Sequence, residues 1–469
     1  MSDRSDPAPH PDRLLPADPT TREIARELLA CVEDLPIVSP HGHVSATLIS
    51  TNRPWDTPSE LLVSPDHYVT RLLHANGSSL DSLGMGDSSR DPREIWRQFC
   101  DAWPVFDGTA SGMWLTAELH ELFGIAETPG PGNATRLYDR IATRLAEESF
   151  LPQALLDSFN IEVLATTDDP LDDLRAHHDL RNDATIMTRI VPTFRPDAYI
   201  DAHTAHFATR VERLIDEAGE GRGGYDGYLT ALANRRLAFI DAGAVAADHG
   251  VRTALSLRLD ASEAAHIFER LRHGDGSPED RDAFEAHMLY EMARMSVDDG
   301  LVMTVHPGSL RNHHSGTYER FGPDTGHDIP IAVDFTASLR PLLRDFGTAP
   351  GFHLVLFTLD ESTFSRELAP LAGFYPSVFL GSPWWFLDAP DALMRFRSAV
   401  TETAGFSRYG GFVDDTRAFC SIPARHNVAR RVEAAYLARL VAEHRVPLAR
   451  AKRIIVEVID SAPRRAFKL

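Results

Sequence analysis

Two histidines one residue apart, His41 and His43, end the apolar stretch Leu35-Pro36-Ile37-Val38-Ser39-Pro40. Residues i and i+2 of an extended strand share a face, so both imidazoles can point the same way and bind one ion. The chemistry on offer is half of a metal centre, completed by ligands from elsewhere in the chain. With 21 histidines in 469 residues, such a pair is expected about once by chance, so its meaning depends on its partners.

The strongest candidate partner is Asp415, in the run Phe412-Val413-Asp414-Asp415-Thr416-Arg417. Two neutral imidazoles and one carboxylate suit Zn²⁺ or a similar ion with open positions. Arg417, two residues on, is suited to grip a substrate carboxylate through two parallel hydrogen bonds. Other polar residues also follow apolar stretches: Asp168 and Asp169, Arg195 and Asp197, Asp248 and His249, His306 and Arg311, and Trp384 and Trp385. Each has a structural alternative. Asp169 could cap a helix, the two tryptophans could pack a core or offer a flat face to a sugar, and His249 and His306 could be buried histidines with satisfied nitrogens.

These residues need elements to bring them together. Apolar stretches centred on Ile37, Ile161, Met187, Val245, Val302, Leu354, Val378 and Phe412 alternate with helical patterns. Eight strands alternating with helices predict an α/β fold, a (β/α)8 TIM-like barrel whose chemistry lies at the carboxyl ends of the strands. Between the first two strands, residues 48–159 read as a mainly helical insertion, in a chain that otherwise forms one barrel domain over residues 1–469. Locally, Thr20-Thr21-Arg22-Glu23 predicts a capping box, Pro170 a helix start, Ala184–Val191 a strand, and Ile331–Phe346 a helix.

Composition excludes several classes of function. Lys plus Arg number 47 against 68 Asp plus Glu, a net charge of −21, which repels nucleic acid and anionic lipid. An anionic substrate would therefore need local arginine or metal charge. Cys31, Cys100 and Cys420 are odd in number and far apart, which predicts reduced thiols. Met1–Pro16 lacks the basic-then-apolar pattern of a signal peptide, and no apolar run approaches membrane-spanning length. The expectation is a cytoplasmic protein with a short flexible leader.

Finer motifs carry a resemblance. Asp66-His67-Tyr68, Leu164-Ala165-Thr166-Thr167-Asp168-Asp169-Pro170, Pro192-Thr193-Phe194-Arg195-Pro196-Asp197, Asp248-His249-Gly250, Leu310-Arg311-Asn312, Gly381-Ser382-Pro383-Trp384-Trp385-Phe386 and Asp415-Thr416-Arg417 occur in this order over residues 36–430. Together with His41 and His43 they resemble the uronate isomerases (glucuronate isomerase), a branch of the amidohydrolase superfamily. The resemblance implies interconversion of an aldose uronate, D-glucuronate or D-galacturonate, with its ketose through a cis-enediol. It implies His41, His43 and Asp415 as metal-site residues, Arg417 as the substrate-carboxylate arginine, and Tyr68 in proton handling. Arg195, Arg311, Trp384 and Trp385 are then further substrate-binding candidates, and His249 and His306 catalytic candidates beside Asp415. The expected partners are a divalent ion, Zn²⁺, a small-molecule uronate, and further copies of the chain in a homo-oligomer, with no nucleic acid and no membrane. The sequence departs from the family's pattern at Val69, at Pro307 to His314 and at Asp360, which bears on the uronate accepted. The alternatives are a metal-dependent hydrolase or decarboxylase of the same superfamily, disfavoured by the lack of a bridging lysine at strand four, and a sugar-acid binding protein without turnover.

Overall fold

The strands are short and almost wholly buried, which is why they read as continuous apolar runs and not as alternating ones. In the computed structural model, which describes residues 8–86, 89–204 and 206–469, Ile37–Ser39 (β1), Ile161–Ala165 (β2) and Arg189–Val191 (β3) pair in parallel in that order. Thr193–Phe194 (β4), Ala246–His249 (β5) and Val302–Val305 (β6) begin a second parallel set. A short antiparallel stem, Ser309–Leu310 (β7) with Ile329–Pro330 (β8), carries an excursion of residues 311–328. Leu354–Leu356 (β9) and Val378–Leu380 (β10) complete the parallel set.

The two sets form one ring. Only Pro192, which has no N–H to donate, separates β3 from β4, and Asp168 bridges the gap by donating its N–H to the Thr193 carbonyl at 3.0 Å. At the other end the backbone near Tyr409 pairs with Leu380, and the His43 N–H donates to the Thr416 carbonyl at 3.0 Å. Eight extended segments in chain order thus close a parallel (β/α)8 barrel, the eighth held by single bridges and not by a regular ladder. Helix Ile422–Ala442, among the most buried, packs against helix Pro19–Leu29.

Between β1 and β2 the chain is helical, from Ala46–Thr51 through Pro152–Ser158. These helices have an aromatic core in which Phe99 contacts Trp96, Trp103 and Phe106 at ring-centroid distances of 5.1–5.6 Å. Helix His67–Ala75, capped by Asp66, carries His67 and Tyr68 to the barrel mouth.

Several local expectations are corrected. The strand predicted over Ala184–Val191 starts only at Arg189, and Met187 is 80% exposed; the Asp183 carboxylate accepts from the Thr185 N–H in a turn that delays the strand. The first helix is capped by Asp18, with Pro19 in its first turn, in place of a box at Thr20. After Pro170, turns closed by Asp169, Asp172 and Asp173 postpone the helix to Arg175. The helix predicted from Ile331 begins at Arg340, because Glu367 accepts from the N–H groups of Phe335 and Thr336 and holds that segment extended. Of the expected flexible leader, Met1–Pro7 lie outside the described residues, whereas Pro11 and Arg13 are tied to Arg431 and Asn427.

Candidate active site

The chain leaves β1 at Pro40, and Gly42 is pinned by the hydroxyl of Thr167, just after β2, which donates to its carbonyl at 2.8 Å. His41 and His43 thereby meet edge to face, with ring centroids 5.4 Å apart. Asp415 faces them from the eighth segment, its Oδ1 3.1 Å from His41 Nε2 and 3.0 Å from His43 Nε2. Its backbone is left-handed, φ +44°, a conformation Asp tolerates better than most residues. Its neighbour Asp414 turns away to His426 Nε2 at 3.1 Å.

Asp248, at the end of β5, is fully buried and receives His306 Nε2 at 2.8 Å and the Thr304 hydroxyl. His41 Nδ1 lies 4.0 Å from it and Arg195 Nη1 3.5 Å. Burial opposes ionisation of Asp248, yet His306, His41 and Arg195 hold its carboxyl well below the usual range. Burial likewise opposes ionisation of Asp415, and the close imidazoles of His41 and His43 overcome it, holding its carboxyl well below the usual range. His41, shared by the two carboxylates, sits above its ordinary value despite burial, while burial keeps His43 below its own.

Above this cluster opens a cavity of about 830 Å³. Arg195, His306, Arg311, Trp384, Trp385, Asp415 and Arg417 all line it, as does His43. Arg195 Nε is committed to Asp197 at 2.8 Å. Arg311 donates to Asp328 at 2.9 Å and lies over the Trp385 ring at 5.3 Å. Trp384 meets His306 edge to face at 5.1 Å, and the indole N–H groups of both tryptophans are buried without a protein partner. Trp385 itself has φ +51°, unusual for a bulky residue.

His249 is not brought into this cluster. Successive strand residues point to opposite faces, so with Asp248 inward His249 turns outward, its Nδ1 2.9 Å from the Thr304 carbonyl, and burial lowers it to about 4. Tyr68 lies behind the cavity wall: His67 lines the cavity and stacks on the Tyr68 ring at 4.8 Å. Asp168 and Asp169 serve the scaffold, Asp169 accepting from the Tyr199 hydroxyl at 2.7 Å. Asp248 and His67 stand in the sequence motifs without an assigned site role, and Asp324 is among the cavity residues that no motif marks. Strand alternation could have found the first, since only one of Asp248 and His249 can face inward.

Tyr68 rests on a buried charge network. The Arg425 guanidinium lies 3.7 Å from the Trp114 ring centroid and 4.7 Å from that of Tyr68, and it donates to Asp388 at 2.9 Å. Burial, with the charge of Asp66 and against that of Arg425, pushes nearby Glu118 up to about 8 from 4.5. The folded protein therefore holds a proton that the unfolded chain releases, and stability falls as pH rises between about 4.5 and 8. Glu118→Gln should leave Tm unchanged at pH 4.5 and raise it by about 2–4 °C at pH 9. Equal Tm values at both pH values, followed by circular dichroism, would show that Glu118 ionises normally.

The residues fit a metal ion. His41, His43 and Asp415 offer ligand atoms within 4.8 Å of one another, and His41, Asp248 and His306 form a second such group. Asp415 Oδ1 is buried and lacks a hydrogen bond of good geometry although both imidazole nitrogens are close. Three ligand atoms about a common point produce that pattern, and the 3.0–3.1 Å spacings approach the roughly 3.3 Å edge of a tetrahedron with Zn-type bonds.

Fold and site together define a (β/α)8-barrel protein with a His/Asp centre able to hold a metal at the carboxyl ends of its strands. The chain belongs to the glucuronate isomerase family, whose model matches residues 19–465. It is 53% identical to a uronate isomerase of Corynebacterium efficiens over 464 residues, covering 98% of this chain and 99% of that protein. The crystal structure of glucuronate isomerase from Caulobacter crescentus superposes with a TM-score of 0.97 at 47% identity, covering 99% of this chain and 97% of the other. That of a uronate isomerase from Thermotoga maritima gives 0.91 at 28% identity, covering 97% and 98%. No helix among the described residues is long and apolar enough to cross a membrane.

Proposed function

We propose that this chain interconverts aldose and ketose hexuronates, D-glucuronate with D-fructuronate and/or D-galacturonate with D-tagaturonate. The carrying observation is one cavity that presents an ionised carboxylate, Asp415, on its floor and a guanidinium, Arg417, on its wall. Arg417 holds the sugar-acid carboxylate, and that remote contact positions the reacting carbons. Asp415 then takes the C2 proton and returns it to C1, while a proton passes from the C2 hydroxyl to the C1 oxygen. In a cis-enediol both carbons present the same face, so a single base serves both steps. Burial pushes the Tyr68 phenol above its ordinary value, so it stays protonated behind His67, which stands between it and the cavity. Trp384 and Trp385 offer indole N–H groups and flat faces to the sugar. His41, His43 and Asp415 would hold a divalent ion, Zn²⁺ by its ligand preference, whose charge orients the substrate oxygens and offsets that of the enediolate. The buried free thiols Cys100 and Cys420 fit a reducing cytoplasm.

The test is proton NMR in D2O with metal-replete protein and each aldose uronate. Ketose should form from at least one of them, with solvent deuterium appearing at C1. Absence of ketose from both would defeat the reading.

A further inference from the structure

The Arg417 guanidinium already has a carboxylate in its grip. Its Nη2 lies 2.9 Å from Asp324 Oδ2, and Arg311 Nη1 is 3.8 Å from Asp324 Oδ1. Asp324 belongs to the 311–328 excursion, which lines the cavity and rests on the helical insertion. Arg320 pairs with Asp81 at 2.6 Å, and Gly326 lies so close to Arg71 that a Cβ there would come within 2.8 Å of the Arg71 Cβ.

Two aspartates of this excursion play different parts. Asp328 is buried, accepts the Asn312 N–H at 2.7 Å and pairs with Arg311 at 2.9 Å, so it fixes the base of the loop. Asp324 is 40% exposed, has φ +62°, and among the described residues its ion-pair partners are Arg417 and Arg311. Burial opposes its ionisation, but Arg417 and then Arg311 lower its carboxyl below the ordinary value. The pair is half exposed on both sides, and such pairs are weak. It joins the groups a sugar acid would bring together: a carboxylate, and the arginine that receives one.

We propose that Asp324 is the resident carboxylate of the Arg417 clamp, displaced by the substrate's own carboxylate, and that it thereby sets affinity and selectivity for sugar acids. The inference rests on the reading of Arg417 given above. Exchange of carboxylate for carboxylate keeps Arg417 neutralised at every stage in a cavity where acidic residues outnumber arginines. A neutral aldose has nothing to exchange and leaves the Asp324–Arg417 pair in place. An incoming uronate wins because its carboxylate is joined to a sugar that makes further contacts, whereas Asp324 brings only its own loop.

Asp324→Asn keeps the shape and removes the charge. KM for D-glucuronate should fall about five-fold with kcat within about three-fold of wild type. The inhibition constant of D-gluconate, a six-carbon acid with no carbonyl to isomerise, should fall by the same factor. Asp324→Ala should act alike, and in an Arg417→Met background neither change should alter KM or the inhibition constant. Unchanged or raised values in both Asp324 variants would overturn the proposal even if Arg417→Met is inactive. Near-normal kinetics of Arg417→Met would instead remove the clamp reading itself, and this inference with it.

Discussion

Asp415→Asn should lower kcat for D-glucuronate isomerisation by about 10²–10⁴-fold, the range lost with a positioned general base, and should stop deuterium incorporation at C1 along with it. The substitution isolates the charge. Residue 415 sits at φ +44°, and Asn is as tolerant of the left-handed region as Asp, so the backbone is spared. The amide keeps an oxygen that can face His41 and His43, but a neutral amide is a weak base and a poor ligand beside two imidazoles. Metal content after expression in zinc-supplemented medium should fall with kcat, while Tm stays within about 2 °C of wild type. A kcat within about five-fold of wild type would remove Asp415 from proton transfer and leave Tyr68 and His306 as the groups to test.

The candidate metal centre is legible in the sequence because its candidate ligands are marked by spacing. Ions need several ligands at one point, and β1 and the eighth segment are neighbours only because the barrel closes between them. Eight alternating apolar stretches therefore predicted both the fold and the meeting of His41 and His43 with Asp415. Boundaries were less legible where side chains compete for the backbone: the aspartates at 169, 172, 173 and 183 close turns that postpone a helix and a strand, and Glu367 holds a segment extended from 31 residues away. Local pattern carries no trace of such long-range partners. Which residue of a pair faces inward was equally hidden at Asp248-His249. The choice turns on strand phase, and the strand runs over Ala246–His249, centred two to three residues beyond Val245. Asp324 lay in a polar loop that resembles any surface turn, and only the structure shows it against Arg417.

Arg417→Ala should lower kcat/KM for D-glucuronate by about 10²–10³-fold, as expected when one partner of a charged hydrogen-bonded pair is removed, about 3–4 kcal/mol. Three arginines line the cavity, and their partners rank them. Arg195 is held by Asp197 and Asp248, so recruiting it to substrate would strand the buried Asp248. Arg311 is held by Asp328, which is buried, and lies over Trp385. Among the described residues Arg417 is paired with no carboxylate but the half-exposed Asp324, which also lies 3.8 Å from Arg311 and can move aside. In a chain of net charge −21 the general field opposes a uronate, so capture must come from short-range contacts of this kind. The loss should therefore fall mainly on KM, leave the slow turnover of neutral aldoses unchanged, and be partly restored by about 50 mM guanidinium, which supplies the missing cation to the space left by the side chain. Arg417→Ala with a near-normal kcat/KM would transfer the carboxylate to Arg195 or Arg311, and Arg311→Ala would then show the larger loss. If instead kcat falls and KM is unchanged, Arg417 acts in the transition state and not in capture, and its nearness to Asp415, two residues away, becomes the feature to explain.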